Sequence, residues 1–333
     1  MDALSDVLRL IRLSGGVFLD AAFTEPWCVV SRVGPEDCPT RELPPRVVAF
    51  HYVIEGRMLV QGDGDALQVQ AGEMVLLPRN DPHLLASDTG LPPANPDPLV
   101  QQVEGGLMRL EYGGGGAATR LVCGYVGADV RRHPLFDALP AVFVLDLNGR
   151  PCAEFVAASF RYAAREVASG RAGSETVLAK LSELLFVEAV RTYAESQPAD
   201  RQGWLAGLRD GPVGRALALM HAEPAHAWTT DELAARVAMS RSAFAERFSQ
   251  LVGMPPISYL TGWRMQVAAS RLRETHRTIA QVAAELGYES EASFTRAFKR
   301  AQGVSPGRYR AGGRGGSTTA AAPALGNQVA GGE

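Results

Sequence analysis

The chain has 333 residues, 46% of them hydrophobic, and a formal net charge of −3. That length and apolar content support two ordinary cores and exclude a disordered polymer. No stretch approaches the ~18 apolar residues needed to cross a bilayer, and the N-terminal MDALSDVLRLIRLSGG lacks the basic start and long apolar run of a signal peptide, so no membrane partner and a cytoplasmic location are expected.

Four cysteines, Cys28, Cys38, Cys123 and Cys152, form no CxxC pair, which argues against a zinc ribbon and against a secreted disulfide framework. The charge is segregated: residues 1–211 carry 19 Lys and Arg against 27 Asp and Glu, whereas Pro212–Arg314 carries 14 against 8. A basic C-terminal part on an acidic chain points to a polyanionic partner for that part alone.

Residues 1–150 alternate short apolar runs (VVAFHYVIEG, RMLVQGDGDALQVQ, EMVLLPRNDPH, GLMRLEYGGGG, TRLVCGYV) with Gly, Pro, Asn and Asp. This predicts an all-β barrel or sandwich with helices at its edges, and loops at 90–98 and at the glycine run 113–116. Over 151–211, AEFVAASFRYAAREVASG and SETVLAKLSELLFVEAVRTYAESQ read as amphipathic helices. Ser174 is the expected N-cap of the second, and Val177, Leu178, Leu181, Leu184, Leu185 and Val187 gather apolar surface on one side. That surface serves either packing on its own domain or a homodimer interface. Residues 212–311 read as short helices, and the Gly- and Ala-rich tail, 312–333, as disordered.

Within the helical part the chain repeats itself. TTDELAARVAMSRSAF from Thr229 is echoed by TIAQVAAELGYESEASF from Thr278, and FAERFSQLVGMPPISY by FTRAFKRAQGVSPGRYR. Each copy offers a Thr N-cap, an apolar helical stripe, a turn at Ala238 or Gly287, and a second helix whose Phe244 and Phe248, or Phe294 and Phe298, share one face at i, i+4. The copies read as two helix-turn-helix units with the aromatic rings as core. Duplication, local basic charge and short polar outward faces favour DNA readers over a generic helical bundle. ISYLTGWRMQVAASRLRET, between the copies, predicts one connecting helix about 28 Å long. It carries Arg264, Arg271 and Arg273, available either for phosphates or for structural carboxylates.

This segment resembles the DNA-binding domain of the AraC/XylS regulators of bacterial transcription, most specifically in its closing pattern of Gly287, Tyr288, Phe294, Arg296, Phe298, Lys299, Arg300, Gly303, Ser305, Pro306, Tyr309 and Arg310. The resemblance implies base contacts by Arg241, Ser242, Ala245 and Glu246 in the first unit and by Glu291, Ala292, Thr295 and Arg296 in the second. Arg247, Lys299 and Arg300 would hold phosphates. The implied partners are double-stranded promoter DNA, RNA polymerase and a second copy of the chain, with activation the commoner outcome in the family.

MDALSDVLRL, FHYVIEG, AGEMVLLPRNDPH, LVCGYV and HPLFDALP resemble the cupin-type sensor domains of the same family, especially the branch that responds to reactive chlorine. The expected architecture is multidomain α+β: a cupin-like sensor barrel (1–150), a helical linker or dimerisation segment (151–211), an all-α double helix-turn-helix domain (212–311) and the tail. Against the metal-binding cupin pattern, His51, Glu55 and His83 match ligand positions while Ala49 stands where the first histidine would be, so a divalent metal is a possibility that the missing ligand weakens. The competing class is a metal-dependent cupin enzyme, with those three residues as ligands, fused to a DNA-binding module.

The thiols supply another sensing hypothesis. Cys123 lies in an apolar strand and reads first as a buried small hydrophobe. Cys28 and Cys38 are expected to be more exposed, with Arg32 and Arg41 favouring thiolate, and Cys28 is the leading candidate for an oxidant sensor. The expected activity is regulatory rather than enzymatic, and the effector, an oxidant or a small molecule, stays open.

Overall fold

The computed structural model describes residues 3–38, 42–102, 108–130, 133–150, 152–169, 173–197 and 203–314. The expected tail beyond 314, and Arg41, lie outside the described residues. The chain divides into two compact units, one of residues 1–215 with 246–253 and one of 216–245 with 254–333. Among the described residues no helix is long and apolar enough to cross a membrane.

In the first unit helix α1 (Ala3–Leu10) leads into strands β1 (Leu13–Thr24), β2 (Cys28–Ser31), β3 (Arg46–Glu55), β4 (Arg57–Gln61), β5 (Leu67–Gln70), β6 (Glu73–Leu77), β7 (His83–Ala86), β8 (Val100–Gln102), β9 (Met108–Gly113) and β10 (Ala118–Ala128). A short helix, α2 (Pro134–Asp137), precedes β11 (Phe143–Asp146). The strands sort into a seven-stranded sheet, β11-β6-β3-β10-β1-β9-β8, and a four-stranded sheet, β2-β7-β4-β5. The barrel or sandwich expected from the sequence is an open two-sheet sandwich, with one core cluster drawing Ala21, Phe23, Val53, Val75 and Leu121 from the large sheet and Val29, Met58, Val60 and Leu85 from the small one.

Side-chain alternation along β3 decides what each face of the large sheet meets. His51 points between the sheets, toward His83 of β7. Its neighbours Phe50 and Tyr52 point the other way, onto Phe160 of α3 (Ala153–Ser169), with Tyr52 stacked at 4.2 Å between ring centroids. Helix α4 (Ser174–Ser196) lies along β1 so closely that a Cβ on Gly15 would sit 2.7 Å from Cβ of Ser182.

Helix α4 buries Leu178, Ser182, Leu185, Phe186, Ala189 and Val190. Val177 and Leu184, which the sequence places on the same apolar side, are instead exposed, together with Phe155 and Tyr162 of α3. The N-cap of α4 is also not Ser174: Gly173, at φ 88, occupies that place and Ser174 is the first helical residue. A left-handed cap suits glycine, and it moves the helix start by one residue.

Beyond α5 (Trp204–Arg209) and α6 (Gly211–Ala222) come α7 (Thr230–Arg236), α8 (Arg241–Val252), α9 (Pro256–Glu274), α10 (Ile279–Glu285), α11 (Glu291–Gln302) and α12 (Pro306–Arg314). Helix α12 carries regular structure three residues past the expected boundary at 311. The pairs α7–α8 and α10–α11 are the two helix-turn-helix units. Thr229 caps α7 by accepting from the Glu232 amide, and Thr278 caps α10 in a full capping box with Gln281. Met265, Leu272, Val282, Leu286, Phe294 and Phe298 form one buried cluster around α9, α10 and α11, and Phe244 and Phe248 are equally buried.

Candidate functional site

The exposed face of each unit follows from its buried one. In α11, burial of Phe294 and Phe298 turns Glu291, Ala292 and Arg296 to solvent and leaves Thr295 half-buried. In α8, burial of Phe244 and Phe248 exposes Arg241, Ser242 and Glu246, with Ala245 half-buried. Two caps that sequence reasoning missed start these helices: Ser240 Oγ accepts from the Ala243 amide at 3.3 Å and Ser290 Oγ from the Ser293 amide at 3.2 Å. Both follow the Ser-at-N-cap rule and were legible in MSRSAF and YESEASF.

The arginines divide sharply by partner. Among the described residues Arg296, Lys299 and Arg300 make no ion pair and stand exposed on α11. Arg241 pairs with Asp231 at 3.4 Å, both side chains largely exposed, and Glu246 accepts from Gln250. Arg247, expected at a phosphate, instead donates from Nε to Asp210 Oδ2 at 2.9 Å. The Oδ1 atom of Asp210 accepts from the Val213 amide, and the guanidinium with that amide holds its carboxyl below the usual range despite burial. Arg247 thus braces Asp210 while its own side chain stays about half exposed.

The three α9 arginines are structural too. Arg264 donates to the carbonyls of Pro224 (2.6 Å) and His226 (2.8 Å), Arg271 to Glu285 at 2.7 Å, and Arg273 to the Tyr309 hydroxyl.

In the β-sandwich, the structure brings together residues that are distant in sequence. The β3–β10 register sets His51 directly opposite Cys123. His51 Nδ1 lies 2.8 Å from Cys123 Sγ, and His51 Nε2 lies 2.8 Å from His83 Nε2. His83 Nδ1 lies 2.9 Å from the Asp81 carbonyl oxygen. These contacts fix the protons. A carbonyl only accepts, so His83 carries its hydrogen on Nδ1, and when neutral it accepts at Nε2. His51 must then donate from Nε2 and accept at Nδ1, so Cys123 donates as a thiol. Burial drives both histidines toward the neutral form, His51 well below the ordinary imidazole value with His83 adding to the effect, and burial pushes the Cys123 thiol up.

Glu55 does not join this line. A register shift in the β3–β10 pairing at Val53–Glu55 breaks the alternation, so Glu55 ends exposed, opposite Arg120, whose guanidinium is held in a fork by Asp20. His51, moreover, turns one ring nitrogen to the thiol and the other to His83, so those two partners lie on opposite sides of the ring. Among the described residues no group of three or more His, Cys, Asp and Glu side chains is placed to hold a metal ion. The ligand trio on which the enzymatic alternative rested is not assembled.

The cysteine expectations are corrected as well. Cys28 is buried on β2, and Cys38 is buried in the sandwich core. Burial raises both thiols, with Asp88 adding to Cys28 and the carboxylates of Asp37 and Glu36 opposing the Tyr125 hydrogen bond at Cys38. Neither is an exposed thiolate. A cavity of about 390 Å³ opens beside His83, bounded by Val60, Leu77 and Val142 and by Asp63, Asp65 and Asp81.

Two family models match the chain. Residues 2–195 match the cupin family model and residues 233–312 the helix-turn-helix domain model. An AraC-like transcription regulator of Streptomyces antibioticus is 33% identical over 312 residues, covering 93% of this chain and 98% of that protein. The RCS-specific HTH-type transcriptional activator RclR of Escherichia coli K12 is 26% identical over 93% of this chain and 97% of its own length. Among solved structures, the DNA-binding domain of AdpA in complex with a target DNA is 30% identical, covering 32% of this chain and 95% of that one with a TM-score of 0.30. With a cupin domain followed by paired helix-turn-helix units, and similarity over 93% of its length to an AraC-like transcription regulator, the chain belongs to the AraC-like transcription regulators and binds DNA.

Proposed function

We infer that the protein is a sequence-specific promoter regulator, working as a homodimer and activating through RNA polymerase, whose cupin domain senses an oxidant or a small molecule. The observation that carries the DNA-reading part is the uncommitted basic edge of α11, where Arg296, Lys299 and Arg300 stand exposed and unpaired among the described residues. In this reading Arg296 and Thr295, with Glu291 and Ala292, face base edges in one major groove, and Arg241, Ser242, Ala245 and Glu246 face those of the next. Helix α9, with 19 residues and hence about 28 Å long, suits the ~34 Å repeat of the duplex.

The test is footprinting of the full-length protein across genomic promoters, followed by Arg296→Ala at the strongest site. The substitution should cost about 1–3 kcal/mol and relax preference at one position. Unchanged affinity and preference would remove Arg296 from base reading. The homodimer rests on the exposed Phe155, Tyr162, Val177 and Leu184; wild-type protein sedimenting as a monomer at the concentration that saturates the promoter would refute it.

The signal-receiving element in this reading is the Cys123–His51–His83 line, because it ties the two sheets together across their shared core. An oxidant acting at Cys123 or a ligand arriving beside His83 would disturb the same hydrogen bonds. Cys123→Ser and His83→Ala separate the two signals. Loss of a hypochlorous-acid response in the first variant alone marks an oxidant sensor, and an intact response in both would dismiss the line.

A further inference from the structure

The cavity beside His83 has an uneven lining. Its walls are apolar, with Val60 and Leu77 buried and Val142 beside them, while its rim carries three carboxylates, Asp63, Asp65 and Asp81. Among the described residues no lysine or arginine lines it, and none of the three carboxylates is engaged in a salt bridge. Its volume of about 390 Å³ falls within the range of small-molecule sites, roughly 300–1,000 Å³. A cleft lined by one sign of charge over low-dielectric walls focuses its field and concentrates ions of the opposite sign. A larger cavity of the same unit, about 660 Å³, sets Arg32 among Glu36, Asp37 and Asp97 and so partly neutralises itself. Of the two, the cavity beside His83 selects more strongly for charge.

We propose that this cavity binds a small hydrophobic amine as its cation, the ammonium group among Asp63, Asp65 and Asp81 and the hydrocarbon body against Val60, Leu77 and Val142. The proposal rests on the sensor reading above and names the chemical class of its ligand. His83 touches both the cavity and His51, so an occupant that shifts the ring acts directly on the hydrogen bonds leading to Cys123.

Octylamine, protonated at neutral pH, serves as the probe, with 1-octanol and octanoate of the same chain length as controls. Calorimetric titration of the full-length protein without DNA should show saturable octylamine binding at least tenfold tighter than 1-octanol, with no binding of octanoate. Affinity should weaken at least tenfold in the D63N/D65N/D81N protein, whose substitutions are exposed and leave the core intact. Equal binding of amine and alcohol, or unchanged amine affinity in the triple variant, would overturn the proposal. A parallel measurement of promoter affinity with and without octylamine keeps the two ideas apart. Selective binding that leaves DNA affinity unchanged upholds the amine site and counts only against its regulatory use.

Discussion

Substituting Gly287 by alanine tests whether the two helix-turn-helix turns are built to the same tolerance. Gly287 sits at φ 77, and its counterpart Ala238 at φ 57. A Cβ in the left-handed region costs about 1–2 kcal/mol, a cost the first unit already carries at Ala238. The second unit adds a contact. A Cβ on Gly287 would lie 2.3 Å from the carbonyl oxygen of Ala225, a backbone atom that cannot rotate away, and relieving that overlap should cost about 1–3 kcal/mol more. The narrower unfolded ensemble of alanine returns about 0.4–1 kcal/mol, so Gly287→Ala should destabilise by about 1–5 kcal/mol. For a unit of about 100 residues, each kcal/mol moves the midpoint about 4–8 °C, so the loss should reach about 4 °C or more.

The assay is differential scanning calorimetry of the full chain, with the C-terminal transition identified by its shift on adding promoter DNA. Ala238→Gly is the matched control and should be neutral or slightly stabilising, since it removes the left-handed cost and restores entropy to the unfolded chain. A Gly287→Ala protein melting within 2 °C of wild type would refute the steric argument. Loss of stability in Ala238→Gly would refute the conformational one.

Stability of the N-terminal unit should depend on pH with a definite sign. His51 and His83 are held neutral by burial, so the unfolded chain takes up protons at about pH 6.5 while the native state resists; stability is full above that value and falls as the pH drops toward the lowered native values. The melting midpoint should decline between pH 7.5 and 5, and His51→Phe should flatten the decline; a constant wild-type midpoint would contradict the buried neutral pair. Cys28, Cys38 and Cys123 should resist the charged reagent dithiobis(nitrobenzoate) in native protein and react fully in guanidinium, because all three thiols are buried and raised. Rapid native labelling of Cys28 would restore an exposed thiolate.

The helical half was largely legible because its signals are local. Thr229 and Thr278 cap, Gly287 turns, and the paired phenylalanines face inward, each within a few residues of the feature it controls. The β-rich half was legible only as strands between turns. That His51 meets Cys123 depends on the register of β3 against β10, 72 residues apart, and that Glu55 misses the pair depends on one register shift. Neither pairing nor shift has a signature in a single sequence, so the cupin pattern grouped His51, Glu55 and His83 while the fold grouped His51, His83 and Cys123. Cys28 failed for a related reason. Its arginine neighbour is close along the chain, but the pairing of β2 with β7 buries the thiol and brings in Asp88 instead.

The same locality bears on how the two duplicated units share the DNA. Their sequences suggest equal partners, yet their cations are committed differently. Arg247 is held by Asp210 and Arg241 by Asp231 in the first, whereas Lys299, Arg300 and Arg296 in the second are unpaired among the described residues. Each phosphate contact releases counterions and contributes about 0.9 to the slope of log affinity against log salt. Lys299→Ala and Arg300→Ala should therefore each reduce that slope by about one while weakening all sequences alike. Arg247→Ala should leave the slope unchanged and lower the melting midpoint, because it breaks the Asp210 strut and frees no phosphate. Promoter titrations between about 50 and 200 mM salt separate the cases. If Arg247→Ala lowers the slope as much as Lys299→Ala does, Arg247 leaves Asp210 for the DNA and the two units share the backbone equally.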